Sequence, residues 1–166
     1  LVLDLVLRNG GTLLVPKPDE SKPLRVFAPY PEMSPTLHID TAVGLRDLLN
    51  RMARKRKERA WFFQRLELVL CIDEQLSSAD HARLIEMSQA VRGRAPMVGC
   101  AIGTAATTAV PTLLHFETDA TSNIGLPMPE TFIKMAPGEN GYQVHVKGPT
   151  VSPGFWRNGA TPLRVI

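Results

Sequence analysis

The 166-residue sequence contains no apolar run approaching the roughly 20 residues that span a bilayer. Its most apolar opening, Leu1 to Leu7, is short and interrupted by Asp4. That opening has neither a basic start nor a small-residue cleavage site, so it reads as no secretory signal. Cysteine is scarce: only Cys71 and Cys100 occur, too few and too far apart for a zinc motif. They read instead as reduced side chains in buried strands of a cytoplasmic protein. No Ser-His-Asp arrangement and no dinucleotide-binding fingerprint is evident. The chain also lacks an initiator Met and opens in mid-pattern, which suggests a fragment.

What is present fits a soluble globular domain. Apolar residues make up 44% and charged residues 21% of the chain, and the length suffices for one sizeable core. Most of the 14 prolines fall in connections. The net charge is +3, and it is unevenly placed. Residues 51–59 hold Arg51, Arg54, Lys55, Arg56, Lys57 and Arg59 against the single acid Glu58. Such a run can mark a nucleic-acid surface. Here no aromatic residue is interleaved and the bases are contiguous, so it reads as a solvated helix end whose charge complements the helix dipole.

The order of patterns along the chain predicts the fold. Asn9-Gly10-Gly11 can end a helix through a left-handed cap, and Thr12 to Val15 then reads as a strand. Pro16 to Pro23 is a Pro-rich loop, and Thr36 to Ile39 a buried strand. Asp40 or Thr41 can cap a helix carrying Val43, Leu45, Leu48, Leu49 and Met52. A second helical stretch holds Trp61, Phe62 and Phe63. Leu66 to Ile72 is a strand, Ser77 to Asp80 starts a helix that reaches Val91, and Met97 to Ile102 is the next strand. This alternation predicts a mostly parallel sheet flanked by helices. After Gly103 the pattern turns to β. Thr131 to Met135 and Tyr142 to Lys147 read as strands joined by a turn at Pro137 to Gly141. The predicted class is α/β, with an α/β portion over 1–116 and a smaller β-rich portion over 117–166.

The stretch from Ser122 to Arg157 carries a family likeness. Ile124-Gly125-Leu126-Pro127-Met128-Pro129-Glu130 and the run Val146 to Arg157, VKGPTVSPGFWR, resemble the post-core β-region of AMP-forming acid–CoA ligases. There the pattern runs I-G-x-P-x-P-G, strand, Gly-rich turn, V-x-G-P-x-V-x-P-G-Y-W; Glu130 departs from it. Asn9-Gly10-Gly11-Thr12-Leu13, Pro35-Thr36-Leu37, Trp61 to Leu68, Leu76-Ser77 and Gly103 to Phe116 resemble further segments of the family in the same order. In detail the likeness is greatest to feruloyl-CoA synthase-like ligases. It implies a piece of the large N-terminal domain of adenylate-forming enzymes. The implied activity is ATP-dependent, AMP-forming ligation of an aryl or hydroxycinnamic acid such as ferulate to CoA. ATP, magnesium and CoA are the family's cofactors, and a carboxylic acid and a nucleotide its small-molecule partners.

The same likeness implies where the chemistry lies. The family's phosphate loop, ribose-binding aspartate and lid lysine have no counterpart in these residues. Two family motifs fall within the chain, both altered. The aromatic-G-x-T-E motif lands on Ile102, Gly103, Thr104, Ala105 and Ala106, with register set by His115-Phe116. Ala105 lacks the phosphate-binding hydroxyl and Ala106 the magnesium-binding carboxylate. The glycine loop that lets adenine or the acyl group approach is replaced by Asp73, Glu74 and Gln75. Ala105 and Ala106 are expected at an open cleft on the sheet's C-terminal edge. These residues carry no expected catalytic group and no expected metal ligand. The expectation is a fragment inactive alone, or a pseudoenzyme. Two other readings are a non-catalytic binding or scaffold module on the same fold, and an interaction protein using the basic segment near Arg54. Weighed residue by residue, Asp73 and Glu74 read as a solvated loop, Ser77 as a helix cap, His115 as a core histidine, and His38 with Asp40 as one strand face without a nucleophile.

Overall fold

The computed structural model describes residues 6–14, 34–72, 74–104, 106–107, 110–116, 118, 123–139 and 141–154. The Pro-rich loop 16–23, Val15, Asp73, Ala105 and the Phe155-Trp156-Arg157 end of the family-like run lie outside the described residues.

Two sheets are present. The larger has five strands in the order β1-β2-β3-β4-β5: β1 Leu37–Thr41, β2 Leu68–Ile72, β3 Met97–Ile102, β4 Thr112–Leu114 and β5 Leu126–Pro127. The first three are parallel, with Leu37 opposite Leu68 and Leu68 opposite Met97. Strands β4 and β5 continue the sheet antiparallel. The sheet is thus parallel where helices connect its strands and antiparallel where short loops do, as chain length between strands dictates. Strands β6 Phe132–Gly138 and β7 Gly141–Lys147 form a separate antiparallel hairpin. Its turn is tighter than the sequence suggests, because Pro137 and Gly138 belong to the ladder, opposite Tyr142 and Gly141.

Helix α1, Ala42–Arg54, starts directly from β1. Thr41 is its N-cap, and its Oγ1 accepts the Gly44 amide at 3.1 Å. The neighbouring Asp40 Oδ1 accepts the Thr41 amide at 2.8 Å. A Cβ on Gly44 would land within the Asp40 carboxylate, so a larger residue there would push that side chain off the first turn. The helix buries Ala42, Leu45, Leu48, Leu49 and Met52, an apolar stripe at three- and four-residue spacing. Val43 lies off that stripe and is 56% exposed, against its expected place in the core.

Helix α2, Arg56–Phe63, buries Phe62 and Phe63, whose rings meet edge to face at 5.0 Å. Helix α3, Ser78–Arg92, is capped by Ser77, whose Oγ accepts the Asp80 amide at 3.1 Å. All three helices pack with Val69 and Cys71 into one core that also takes in Leu66, Leu76 and Leu84. Successive residues of a strand face opposite sides. Leu68, Leu70 and Ile72, on the other side of β2, are therefore only half-buried. One face of the sheet is covered by helices, and the other is partly open.

Near the start of the described chain, a helix end at Val6–Arg8 closes as expected. Gly10 has φ +64°, and the amides of Gly11 and Gly10 donate to Val6 and Leu7 carbonyls at 3.0 and 3.4 Å. The expected strand at Thr12–Val15 is not formed over residues 12–14. A strand needs a neighbour for its hydrogen bonds, and none of the described strands takes 12–14 as a partner.

Candidate functional site

Because β2 and β3 are parallel neighbours, the loops leaving their C-terminal ends lie side by side, where open parallel sheets hold ligands. Glu74 and Gln75, after β2, and Gly103, Thr104 and Ala106, after β3, thus leave the same edge of the sheet. Asp73 and Ala105 lie outside the described residues.

The second loop is a closed turn. The Thr104 carbonyl accepts the Thr107 amide at 2.9 Å and the Thr107 hydroxyl at 3.0 Å. The Thr107 Oγ1 accepts the Thr104 amide at 3.1 Å, and the Thr104 Oγ1 accepts the Ala106 amide at 3.2 Å. From outside, the Ser152 amide donates to the Ala106 carbonyl at 2.7 Å. These bonds occupy the turn's polar groups internally. Ala106 is 6% exposed, and Thr107 is buried beside it. The expected open cleft is therefore absent at Ala106, because the Ser152 segment closes over the turn. Magnesium seeks oxygen ligands, usually carboxylates and phosphates. Ala106 is buried and its side chain carries no oxygen, so it does not fit a magnesium ligand.

The first loop serves a different space. Gln75 lines a cavity of about 290 Å³ together with Cys71, His81, Cys100, Thr118 and Asn123. Its Nε2 is buried with no hydrogen-bond partner. The Glu74 carbonyl accepts the Cys71 thiol at 3.0 Å, and Cys100 Sγ also approaches it at 3.7 Å. Burial pushes the Cys100 thiol above its ordinary value, so it stays protonated. Of the expected site positions among the described residues, only Gln75 lines this cavity. The two cysteines, missed as site residues, are register partners. Both stand fourth in their strands, LVLCI and MVGCAI, a signal the sequence did carry.

His38 and Asp40 share a face of β1, with Nε2 and Oδ2 3.4 Å apart. His38 also packs edge-on against Phe62 at 5.1 Å. Burial alone would raise the Asp40 carboxyl, but the His38 ring beside it and the Thr41 amide outweigh it and hold the group below its ordinary value. One Asp40 oxygen thus braces the helix cap and the other faces His38, a structural arrangement. His115, expected in the core, is exposed; its Nδ1 lies 3.3 Å from the Leu113 carbonyl. Ser77 serves as the cap anticipated for it.

The fold is similar to part of several solved acid–CoA ligases. A long-chain-fatty-acid–CoA ligase from Archaeoglobus fulgidus superposes with a TM-score of 0.63 at 16% identity, over 74% of this chain and 26% of that one. A benzoate–CoA ligase from Burkholderia xenovorans LB400 gives 0.61 at 18% identity, over 81% of this chain and 27% of its own. An anthranilate–CoA ligase in complex with anthranoyl-AMP gives 0.55 at 18% identity, over 75% and 23%. At these identities the likeness is one of fold, and the chain spans about a quarter of each ligase. No protein-family model and no curated protein sequence matches the chain. Among the described residues, no helix is long and apolar enough to cross a membrane.

Proposed function

We propose that this chain is a portion of the large domain of an AMP-forming acid–CoA ligase acting on an aryl or hydroxycinnamic acid, and that it does not complete adenylation by itself. The observation that carries the reading is the fold likeness to three acid–CoA ligases over 74–81% of the chain. The ordered run of ligase-like segments from Asn9 to Arg157 supports it. Residues 1–116 supply the α/β portion and 117–166 the β-rich portion. Residues 73–75 and 102–106 stand at the family's nucleotide positions with the phosphate- and metal-binding groups replaced. ATP and CoA belong to the complete ligase rather than to these residues.

The test begins with the coding sequence on both sides of residues 1–166. A continuous frame carrying a Gly/Ser/Thr-rich loop ending in Lys before it, and a Y-R-x-G-D motif after it, is expected. Because the longer product keeps Ala105 and Ala106, it should release pyrophosphate from ATP with ferulate or benzoate only weakly if at all. Stop codons close on both sides, or a longer frame without those two motifs, would overturn the ligase reading.

A further inference from the structure

One cavity has no part in the ligase reading. It holds about 720 Å³ and is lined by Asn50, Arg51, Ala53, Arg54, Lys55 and Arg83. Four of these six residues are cations, and no carboxylate stands among them. The hollow lies where the end of α1 passes α3. Helix α1 begins at the ligand edge of the sheet and runs 13 residues, so Arg54 is about 20 Å from that edge. The cavity is therefore separate from the loops at 74–75 and 102–106.

Its cations share acids among the described residues. Glu58 alone receives both Arg51 Nε at 2.8 Å and Lys55 Nζ at 2.9 Å. Asp80 is likewise shared, by Arg46 at 2.9 Å and Arg83 at 3.7 Å. Both carboxyls are held below their ordinary values, Asp80 foremost by its bond from Arg46, so both stay ionised. Arg83 is steered toward the hollow by its donation to Asn50 Oδ1 at 3.0 Å. Arg54 is exposed and has no ion pair or hydrogen bond. Among the described residues, two carboxylates are thus shared by four cations, and Arg54, without an ion pair, leaves positive charge facing the concave space. Guanidinium groups bind phosphate oxygens two at a time.

We infer that this cavity binds a compact polyphosphate: a free polyphosphate chain or the phosphate tail of a nucleotide. A nucleic-acid strand fits less well, because no aromatic side chain lines the hollow to stack a base. The inference stands apart from the ligase reading, and failure of pyrophosphate release leaves it untouched.

The test is a calorimetric titration of the 166-residue chain with inorganic tripolyphosphate at low ionic strength, where surface charge is least screened. Saturable one-to-one binding that weakens as salt rises is expected. Ala53→Glu places a carboxylate in the hollow without removing any contact, and Arg54→Glu reverses its unpaired cation. Each should weaken binding by about tenfold or more. Lys134→Glu, on the distant hairpin, makes the same net-charge change as Arg54→Glu and should leave affinity unchanged. Circular dichroism confirms that each variant is folded; if Ala53→Glu is not, Arg54→Glu carries the test. ATP binding no tighter than tripolyphosphate identifies the phosphate chain as sufficient. Tighter binding by ATP that Arg54→Glu still weakens identifies a nucleotide. Absence of saturable binding, equal weakening by Lys134→Glu, or tighter binding of a single-stranded oligonucleotide overturns the inference.

Discussion

The helix-covered side of the parallel sheet and the β6–β7 hairpin are built from similar strands and reach opposite ends. Under the helices, Leu45, Leu49, Met52, Phe62, Phe63, Leu66, Val69 and Leu84 are all but removed from water. On the hairpin, Phe132 and Tyr142 are each 69% exposed and Met135 is 61% exposed. The ladder pairs Ile133 with Val146, Met135 with Val144 and Pro137 with Tyr142, so one whole face of the hairpin is apolar. Backbone pairing alone does not make a region stable, and a two-stranded ribbon is marginal without cover. The stability of this chain resides in the helix–sheet layer, and the hairpin is organised by its ladder more than by burial.

The largest test of that contrast is Phe63→Ala. The side chain is fully buried and stacks on Phe62, so its loss should cost about 3–5 kcal/mol in urea unfolding. A cost under about 1 kcal/mol, the range of surface changes, would show that the helix layer is not the seat of stability. Next comes Ala106→Glu. Read from the sequence alone, that change falls on an open cleft and is tolerated. The structure buries Ala106 under the Ser152 segment, so the substitution overpacks the turn and strands a charge there. A destabilisation of about 2–3 kcal/mol is expected. An unchanged unfolding midpoint would reopen the cleft.

Those two residues show what the sequence could and could not convey. Phe63 sits in an apolar helical run, and capping residues such as Thr41 and Ser77 marked the helix starts, because their chemistry is local. The strands at 68–72 and 97–102 and the hairpin were legible from composition and alternation for the same reason. Closure over Ala106 depends on a residue 46 positions away, Ser152, and no local pattern encodes it. The antiparallel edge was equally hidden. It requires Gly125, at φ +85°, to lie against the Leu113 backbone where any Cβ would collide. Residues 12–14 have strand-like composition, but a strand also needs a partner. The basic run 51–59 was read as a solvated end; its cavity arises only when α3 brings Arg83 alongside.

A smaller effect distinguishes the cap of α1 from the rest of the covered layer. The Asp40 carboxyl titrates below its ordinary value in the folded protein. Its contribution to stability is therefore present above the unfolded-state value, near pH 4, and is lost as pH falls through the folded-state value. Asp40→Asn should cost about 1 kcal/mol at neutral pH through the weakened bond from the Thr41 amide and the lost attraction to the His38 ring. The difference between wild type and variant should shrink on acidification. Unfolding curves taken from pH 7 down to pH 3 that stay parallel would show that the carboxylate charge does nothing for the cap.

The smallest expected change in stability is on the hairpin, and it is the one that most sharpens the contrast. Met135→Ser and Tyr142→Ser each remove an apolar side chain that is already mostly in water. Little transfer free energy is forfeited, and the unfolding midpoint should move by no more than about 0.5 kcal/mol. Association should respond more strongly. Contiguous apolar surface on this scale drives proteins together, and the two residues lie on the same uncovered face. In sedimentation velocity at rising concentration, wild type should shift toward larger species while the double variant stays monomeric. Should both substitutions instead unfold the chain, the hairpin face would be part of the folding core. Should association persist unchanged in the folded double variant, the half-buried outer side of β2, with Leu68, Leu70 and Ile72, becomes the surface to alter next.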